Sequence, residues 1–273
     1  MIIISGASFD ISTIANEYDD NSVEKQLLDK MSASSEKYNY DNIDQLKFEL
    51  NLRKNIVNSA VSLGKSDLSF SVFKNSICNP LYWIRTPNGG FLLKEDSNPG
   101  EAINDIFING DKYATECATA MMIVYYKALL DTYGGELFGK QFNKIYLMGW
   151  YVTEPLLWEV AFLQSAANIL FGDRGYFNNP DYDPAAPEWE GENVIVLPDS
   201  MYYGHGIGIT TADEIIRDLN SKRKEHASRS AYLVDSVGRP NFIKLSDVYY
   251  NISREVTTLV WKPFPDPLLV RNL

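Results

Sequence analysis

Few side chains in this sequence could act as a nucleophile or a base. There are two cysteines, Cys78 and Cys117, and two histidines, His205 and His226. Cys117 follows Glu116 at the predicted start of a long apolar helix, in YATECATAMMIVYYKALLDTYGG. Unpaired N–H groups at a helix start favour a thiolate, so Cys117 is a candidate nucleophile. The alternative is a small buried residue on the packing face of the helix, as most free cysteines are.

A cysteine nucleophile needs a base and a group that orients it. His205 lies in the predicted strand MYYGHGIGIT, whereas His226 lies in the polar segment KRKEHASRS and is expected to be solvated. In papain-like folds a cysteine on a helix is followed by a base on one strand and a third polar residue on the next. Here the first of those strands opens with Glu192, in WEGENVIVLP, and the second carries His205.

Reference pKa values favour the histidine as the base. Moving a proton from a thiol costs about 2.7 kcal/mol to an imidazole and about 5.7 kcal/mol to a carboxylate. Glu192 competes only if burial among apolar groups such as Trp189 and Trp150 raises its pKa. Glu116 would raise that pKa further by like-charge repulsion, and the cluster would titrate as a unit. An acidic residue in a first helical turn is also commonly a simple dipole contact.

The bulk composition indicates one globular domain and excludes several partners. The chain has 273 residues, is 45% hydrophobic and carries a net charge of −11. This charge disfavours nucleic acid and anionic membranes as partners, but it does not oppose a lysine substrate. The opening MIIISGASFD has no basic flank and only a short apolar run. We therefore expect neither a signal peptide nor a membrane span, and a cytoplasmic location.

No metal or cofactor site is predicted. Two histidines and two widely separated cysteines do not make a zinc site or a disulfide framework. The acidic run DYDPAAPEWEGE is similar to a calcium loop, but it places Ala186 where an EF-hand needs glycine. Pro184 and Pro187 also break the alternation of ligands in that run.

The predicted elements give an α+β domain. Residues 21–63 have helical periodicity, LYWIRTPNGGFLLKE reads as a hairpin, and SNPGEAINDIFING reads as a capped helix. The helix of Cys117 is followed by the strands KIYLMGW, NVIVLP and MYYGHGIGIT and by a helix capped at Thr211. This order predicts a mostly antiparallel sheet flanked by helices. Residues 172–191 are expected to form a long functional loop, and WKPFPDPLLVRNL an irregular tail.

Five segments resemble one known family. YATECATA, IVYYKALLDT, YFNNPDYDP, WEGENVI and YYGHGIGI are similar to the spore-coat protein-glutamine gamma-glutamyltransferases, the small transglutaminases of spore-forming bacilli. The similarity extends from MIIISG to about SAYLV. It implies that Cys117 is the nucleophile, Glu192 its partner, Glu116 an assisting carboxylate and His205 an orienting residue. It also implies a core related to the papain-like NlpC/P60 cysteine hydrolases, with no calcium requirement.

The resemblance further implies the reaction and the partners. Cys117 would form a thioester with a protein-bound glutamine, and a lysine amine would open it to cross-link spore-coat proteins, first in the sporulating cell and then at the spore surface. Trp150 and Trp189, with Tyr176 and Phe177, would line a dry substrate tunnel, or they are ordinary core. Backbone N–H groups at the helix start would form the oxyanion hole.

Alternatives remain open from the sequence alone. A cysteine amidase or γ-glutamyl peptidase would use water in place of lysine and pass through the same thioester. A structural coat protein with an incidental thiol is the second alternative. We assign residues 1–240 to a single catalytic domain and residues 241–273 to a C-terminal extension of unknown role, because the chain continues beyond the expected end of the family.

Overall fold

The computed structural model describes the backbone of residues 1–260 and the side chains of residues 1–254. The described residues form seven α-helices: α1 (Ser12–Ala15), α2 (Val23–Ala33), α3 (Ile43–Gly64), α4 (Pro99–Ile108), α5 (Cys117–Gln141), α6 (Ala212–Asn220) and α7 (Phe242–Val260). Fifteen short strands accompany them: β1 (Ile2–Ile4), β2 (Ala7–Ser8), β3 (Tyr38–Tyr40), β4 (Ser69–Phe70), β5 (Trp83–Arg85), β6 (Phe91–Leu93), β7 (Ala114–Thr115), β8 (Tyr146–Leu147), β9 (Gln164–Ser165), β10 (Arg174–Asn178), β11 (Gly191–Val196), β12 (Met201–Gly204), β13 (Gly208–Thr211), β14 (Tyr232–Leu233) and β15 (Ser236–Val237). The predicted α+β class is confirmed.

Two long helices form the centre of the molecule. α3 and α5 pack against each other, and α2, α4 and α7 pack around them. Local sequence explains where several of these helices begin. Asn42 caps α3 by accepting a hydrogen bond from the Gln45 N–H, and Asn98 caps α4 ahead of Pro99. Both side chains satisfy an N–H group that has no partner within the helix.

The largest sheet is antiparallel and has the order β13-β12-β11-β10-β14. One face packs on the central helices through residues such as Ile195 and Tyr203, which belong to the main core. The other face carries Phe177 and Val194 in a smaller cluster with α6. Both faces of β11 are therefore covered, and every residue of that strand is buried, including Glu192.

A buried ion network joins α3 to the start of β10. Arg53 on α3 donates to Glu49 at 2.8 Å and to Asp173 at 2.8 Å, and Arg239 also donates to Asp173 at 2.8 Å. Removing Arg53 would leave the Glu49 carboxylate buried without its ionic partner, which is strongly destabilising. The network therefore fixes the chain immediately before the strand that pairs with β11.

The segment between residues 172 and 191 corrects one prediction. It is not a continuous loop, because Arg174–Asn178 form β10, which lies between β11 and β14 in the largest sheet. Only the part that follows, which includes the short 3-10 helix Pro187–Trp189, is irregular. The run KIYLMGW also contributes only β8, which joins the β5–β6 hairpin in a separate three-stranded sheet. The hairpin, α4 and the Thr211 cap of α6 are as predicted.

The helix after residue 241 packs on the same core as the rest of the chain. Phe242 and Leu245 are buried, and the Arg53 guanidinium lies over the Phe242 ring at 4.4 Å. The Tyr133 hydroxyl donates to the Leu245 carbonyl at 2.6 Å. The division at residue 240 stays a prediction. The predicted irregular tail, WKPFPDPLLVRNL, lies outside the described residues.

Candidate active site

Cys117 is the first residue of α5, and Glu116 is the N-cap of that helix. The Glu116 carboxylate accepts hydrogen bonds from the Ala118 N–H and the Thr119 N–H, both at 2.6 Å. These are N–H groups that would otherwise favour a thiolate or hold an oxyanion. An acidic N-cap therefore occupies the donors that the sequence assigned to the oxyanion hole, so that prediction is wrong for Ala118 and Thr119.

The position of Cys117 does not lower its pKa. Burial, followed by the charges of Glu192 and Glu116, raises the pKa of the thiol to about 12. The expected stabilisation of a thiolate by the helix start is thus wrong, because burial and two neighbouring carboxylates, Glu192 and the N-cap Glu116, outweigh it. At neutral pH the free thiol is protonated.

One side chain opposes this rise, and sequence reasoning did not single it out. The Asn193 amide donates to the Cys117 Sγ at 3.4 Å and lowers the pKa of the thiol. Its carbonyl oxygen accepts from Arg174 Nη1 at 2.8 Å. Arg174 is buried, donates to the Val160 carbonyl, and lies over the Trp150 ring at 4.4 Å. A buried guanidinium is therefore connected to the sulfur through a single amide.

Glu192 lies on β11 with its carboxyl group almost completely buried. The side chain is 5% exposed, and its Oε1 has no hydrogen-bond partner. Burial, and then the charge of Glu116, raise the pKa of Glu192 well above its usual value, against a bond from the His205 backbone N–H. The expectation that burial raises the pKa of this carboxyl is confirmed. Space for it depends on Gly204 of β12, where a Cβ would lie 2.9 Å from Glu192 Oε1.

His205 does not point its ring nitrogens at the thiol. Its Nε2 lies 3.3 Å from the Ser69 carbonyl, which can only accept, and its Nδ1 lies 3.3 Å from the Tyr203 hydroxyl. Burial lowers the pKa of His205 to about 4, so the ring is neutral at physiological pH. The other histidine, His226, is exposed as expected.

The thiol and the carboxyl face two neighbouring cavities. The larger one, of about 540 Å³, is lined by Cys117, Glu116, Asn193, Trp150 and Tyr176, among others. The smaller one, of about 100 Å³, is lined by Glu192, His205, Trp189, Gly206 and Ile207 together with Phe70 and Glu188, which also border the larger cavity. Trp150, Tyr176 and Trp189 thus border the site. Phe177 does not, because it is completely buried in the smaller core cluster, which corrects its assignment to a tunnel wall.

The second thiol and the acidic side chains of the described residues do not form another reactive site. Cys78 is buried and lines neither of these cavities, so a substrate that enters them does not reach its thiol. Across the described residues, no three His, Cys, Asp or Glu side chains converge in a way that could hold a metal ion. None of the helices in that part of the chain is both long and apolar enough to span a bilayer.

One protein family matches this chain over most of its length. A family model described as protein-glutamine gamma-glutamyltransferase matches residues 1–249. The chain belongs to this family. Protein-glutamine gamma-glutamyltransferases of Bacillus cereus and Bacillus anthracis are each 40% identical to it over 273 residues, which is 100% of this chain and 98% of theirs. The transglutaminase predicted from the sequence is therefore confirmed.

The fold agrees with this membership. A transglutaminase from Geobacillus stearothermophilus, solved without its C-terminal extension, matches with a TM-score of 0.72 and 45% identity, over 76% of this chain and 98% of that one. The Bacillus relatives also align with residues 241–273. The C-terminal part of the chain is thus shared with these relatives, and its assignment as an extension of unknown role stays a prediction.

Proposed function

We propose that this transglutaminase joins a protein-bound glutamine to a lysine amine through a thioester on Cys117, with Glu192 as the proton carrier. The observation that carries the proposal is the buried Glu192 carboxyl, whose pKa is raised well above the ordinary value and which acts on the same thiol as Glu116. A carboxyl whose pKa is raised in this way holds a proton more readily than an ordinary glutamate, so it can carry one between the reacting groups.

In the first half-reaction the Cys117 sulfur attacks the γ-carboxamide carbon of the glutamine. The C–N bond breaks, and the thiol proton passes by way of the Glu192 carboxyl to the leaving ammonia. Asn193 already donates to the sulfur at 3.4 Å, so its amide is placed to donate to the oxyanion beside it. It takes the role that the occupied N–H groups of Ala118 and Thr119 cannot fill.

In the second half-reaction a neutral lysine amine attacks the thioester carbon. Glu192 removes a proton from the amine and returns it to the sulfur, so the enzyme ends as it began. The Glu192 carboxyl lines the smaller cavity, whereas Cys117 lines the larger one. An amine that enters through the smaller cavity would therefore contact the Glu192 carboxylate before it reaches the thioester. Trp150 and Trp189 would contact the two substrates.

We assign His205 a positioning role. Its ring bonds hold Ser69, whose neighbour Phe70 borders both cavities, and its backbone N–H contacts Glu192. Its pKa of about 4 lies about eight units below that of the Cys117 thiol, so a proton transfer between them would cost on the order of 10 kcal/mol. Glu116 acts through its negative charge and as the cap of α5.

We further propose a papain-like arrangement related to the NlpC/P60 hydrolases. In its support, Cys117 begins a helix that packs against an antiparallel sheet, Glu192 lies on β11, and His205 follows the adjacent β12. We also propose spore-coat proteins as substrates, in the sporulating cell and at the spore surface, and an activity that needs no calcium. The relatives from spore-forming bacilli support the setting.

The decisive experiment measures two products in the presence of a calcium chelator. Incorporation of a fluorescent primary amine into a glutamine-rich protein reports transfer, and ammonia release without amine reports hydrolysis. Both activities should vanish in Cys117→Ala and persist in the matched control Cys78→Ala. Ammonia release without any amine incorporation would identify a cysteine amidase instead. Full activity in Cys117→Ala would contradict the proposal and favour a structural coat protein.

A further inference from the structure

A group of exposed aromatic side chains lies beside the thiol cavity and takes no part in the proposed chemistry. Tyr151, Trp158 and Phe162 are 66%, 54% and 64% exposed, which is unusual for aromatic rings. They line one cavity of about 350 Å³ together with Val152 and Trp150. We call Tyr151, Trp158 and Phe162 the aromatic shelf.

The aromatic shelf is continuous with the active site. Trp150 lines the cavity of the shelf and also the cavity that contains Cys117. The chain just before Trp150 is attached to the helix of the nucleophile, because the Gly149 N–H donates to the Thr119 hydroxyl at 2.7 Å. Gly149 has a φ of +50°, which glycine adopts readily, and a Cβ there would lie 3.8 Å from Glu116 Oε1.

Hydrogen bonds and ring contacts hold the aromatic shelf in place. The Trp158 indole N–H donates to the Val152 carbonyl at 2.8 Å, and the Val152 N–H donates to the Trp150 carbonyl at 2.9 Å. The Tyr151 ring contacts Tyr146 edge to face at 5.7 Å. A binding surface that is ordered before the ligand arrives loses less conformational entropy on binding.

Exposed apolar groups that are contiguous and ordered mark interaction sites in soluble proteins. An occupant of the shelf lies next to the cavity of Cys117, because Trp150 lines both cavities. A polypeptide whose glutamine side chain enters the thiol cavity has its neighbouring residues outside that cavity, next to Trp150. The shelf is therefore placed to contact residues that flank the glutamine.

We propose that the aromatic shelf binds an apolar side chain of the substrate polypeptide near the reactive glutamine. It would select glutamines in segments that carry an aromatic or aliphatic residue on one side, over glutamines in wholly polar segments. This inference rests on the proposed function, since it assigns the glutamine to the cavity of Cys117.

The test is a positional scan with amine incorporation as the readout. Otherwise polar peptides carry one glutamine and one phenylalanine, which is moved through the positions on both sides. For the wild-type enzyme we expect one position to raise kcat/KM about tenfold, through a lower KM, as partial burial of an aromatic ring would give. In Phe162→Ser and Tyr151→Ser this preference should disappear, with kcat unchanged.

Two controls separate the shelf from other effects. Ile84→Ser removes an apolar side chain that is 50% exposed on β5 and does not line these cavities, and it should keep the preference. A blocked glutamine dipeptide, too short to reach the shelf, should react equally with every variant. Inactivity of the wild-type enzyme on this dipeptide and on all peptides would instead refute the proposed function.

Three results would overturn the inference itself. One is a wild-type scan that is flat on both sides of the glutamine. Another is a preference that survives in both shelf variants. The third is a wild-type dimer in sedimentation that becomes monomeric in Phe162→Ser while the scan is unchanged, because the shelf would then bind a second copy of this chain.

Discussion

Replacing His205 by glutamine tests whether its ring is neutral and therefore unable to serve as the base. Glutamine keeps an amide donor that can approach the Ser69 carbonyl, but it does not titrate. In the wild-type protein the pKa of His205 is about 4 in the folded state, because burial disfavours the charged ring, against a reference value of 6.5. The unfolded chain therefore takes up the proton first as the pH falls.

The sign and size of the effect follow from this difference. A depressed folded-state pKa leaves stability intact above pH 6.5 and removes it as the pH falls towards 4. Between pH 7 and pH 5 the two pKa values give a loss of about 2 kcal/mol in the free energy of unfolding, and the full loss is about 3 kcal/mol. His205→Gln should lack this component, whatever its own stability at pH 7.

Urea unfolding at pH 7 and pH 5, followed by tryptophan fluorescence, measures the effect as a difference between the two proteins. Other titrating groups contribute equally to both and cancel. We expect the wild-type protein to lose about 2 kcal/mol more than His205→Gln over this interval. Equal losses would mean that the ring takes up its proton over the same pH range in the folded and the unfolded chain, and our argument against His205 as the base would fail.

Three other substitutions test the carboxyl groups and their surroundings. Glu192→Gln should lower amine incorporation about a hundredfold or more, because the proton carrier is lost. The same variant should be more stable to urea at pH 8. The folded-state pKa of Glu192 is raised, so the wild-type protein loses stability as the pH rises from 4.5 through that pKa, and glutamine does not. Glu116→Ala should lower the free energy of unfolding in urea by about 1 kcal/mol, because the cap of α5 is lost. It should also shift the pH profile of Cys117 alkylation to lower pH, because a charge that raises the pKa of the thiol is gone. Gly204→Ala should reduce amine incorporation by displacing Glu192, whereas Gly139→Ala on α5, where a Cβ meets nothing within 4 Å, should not.

Local signals were sufficient to predict much of the fold. The hairpin, the capped α4 and the helix of Cys117 each depend on residues adjacent in sequence. β10 was missed because it is short and begins with Arg174, a residue type that is rarely buried. Arg174 is buried here because it bonds to Val160, Asn193 and Trp150, all of them distant in sequence or on other elements. Such compensation cannot be read from the strand itself.

The chemistry of the candidate site was also predictable only in part. The family motifs led to Cys117 and Glu192, and the buried environment of Glu192 could be expected from its apolar neighbours. The pKa of Cys117 was predicted in the wrong direction, because it depends first on the burial of the thiol and then on the positions of Glu192 and Glu116, which only the fold shows. Asn193 was overlooked beside Glu192, since only the fold shows that its amide reaches the sulfur.

A thiol held between two carboxyl groups has a consequence for a cross-linking enzyme. In a cysteine–histidine pair the thiolate exists before the substrate binds, and it is open to alkylation and oxidation. Here the pKa of Cys117 is about 12, so the free enzyme carries a protonated thiol. Reactivity must then come from the substrate, which displaces water and allows the proton to move to Glu192 while Asn193 donates to the charge that develops. In such a site the thiol stays unreactive between turnovers. This suits an enzyme whose product is an irreversible bond between proteins.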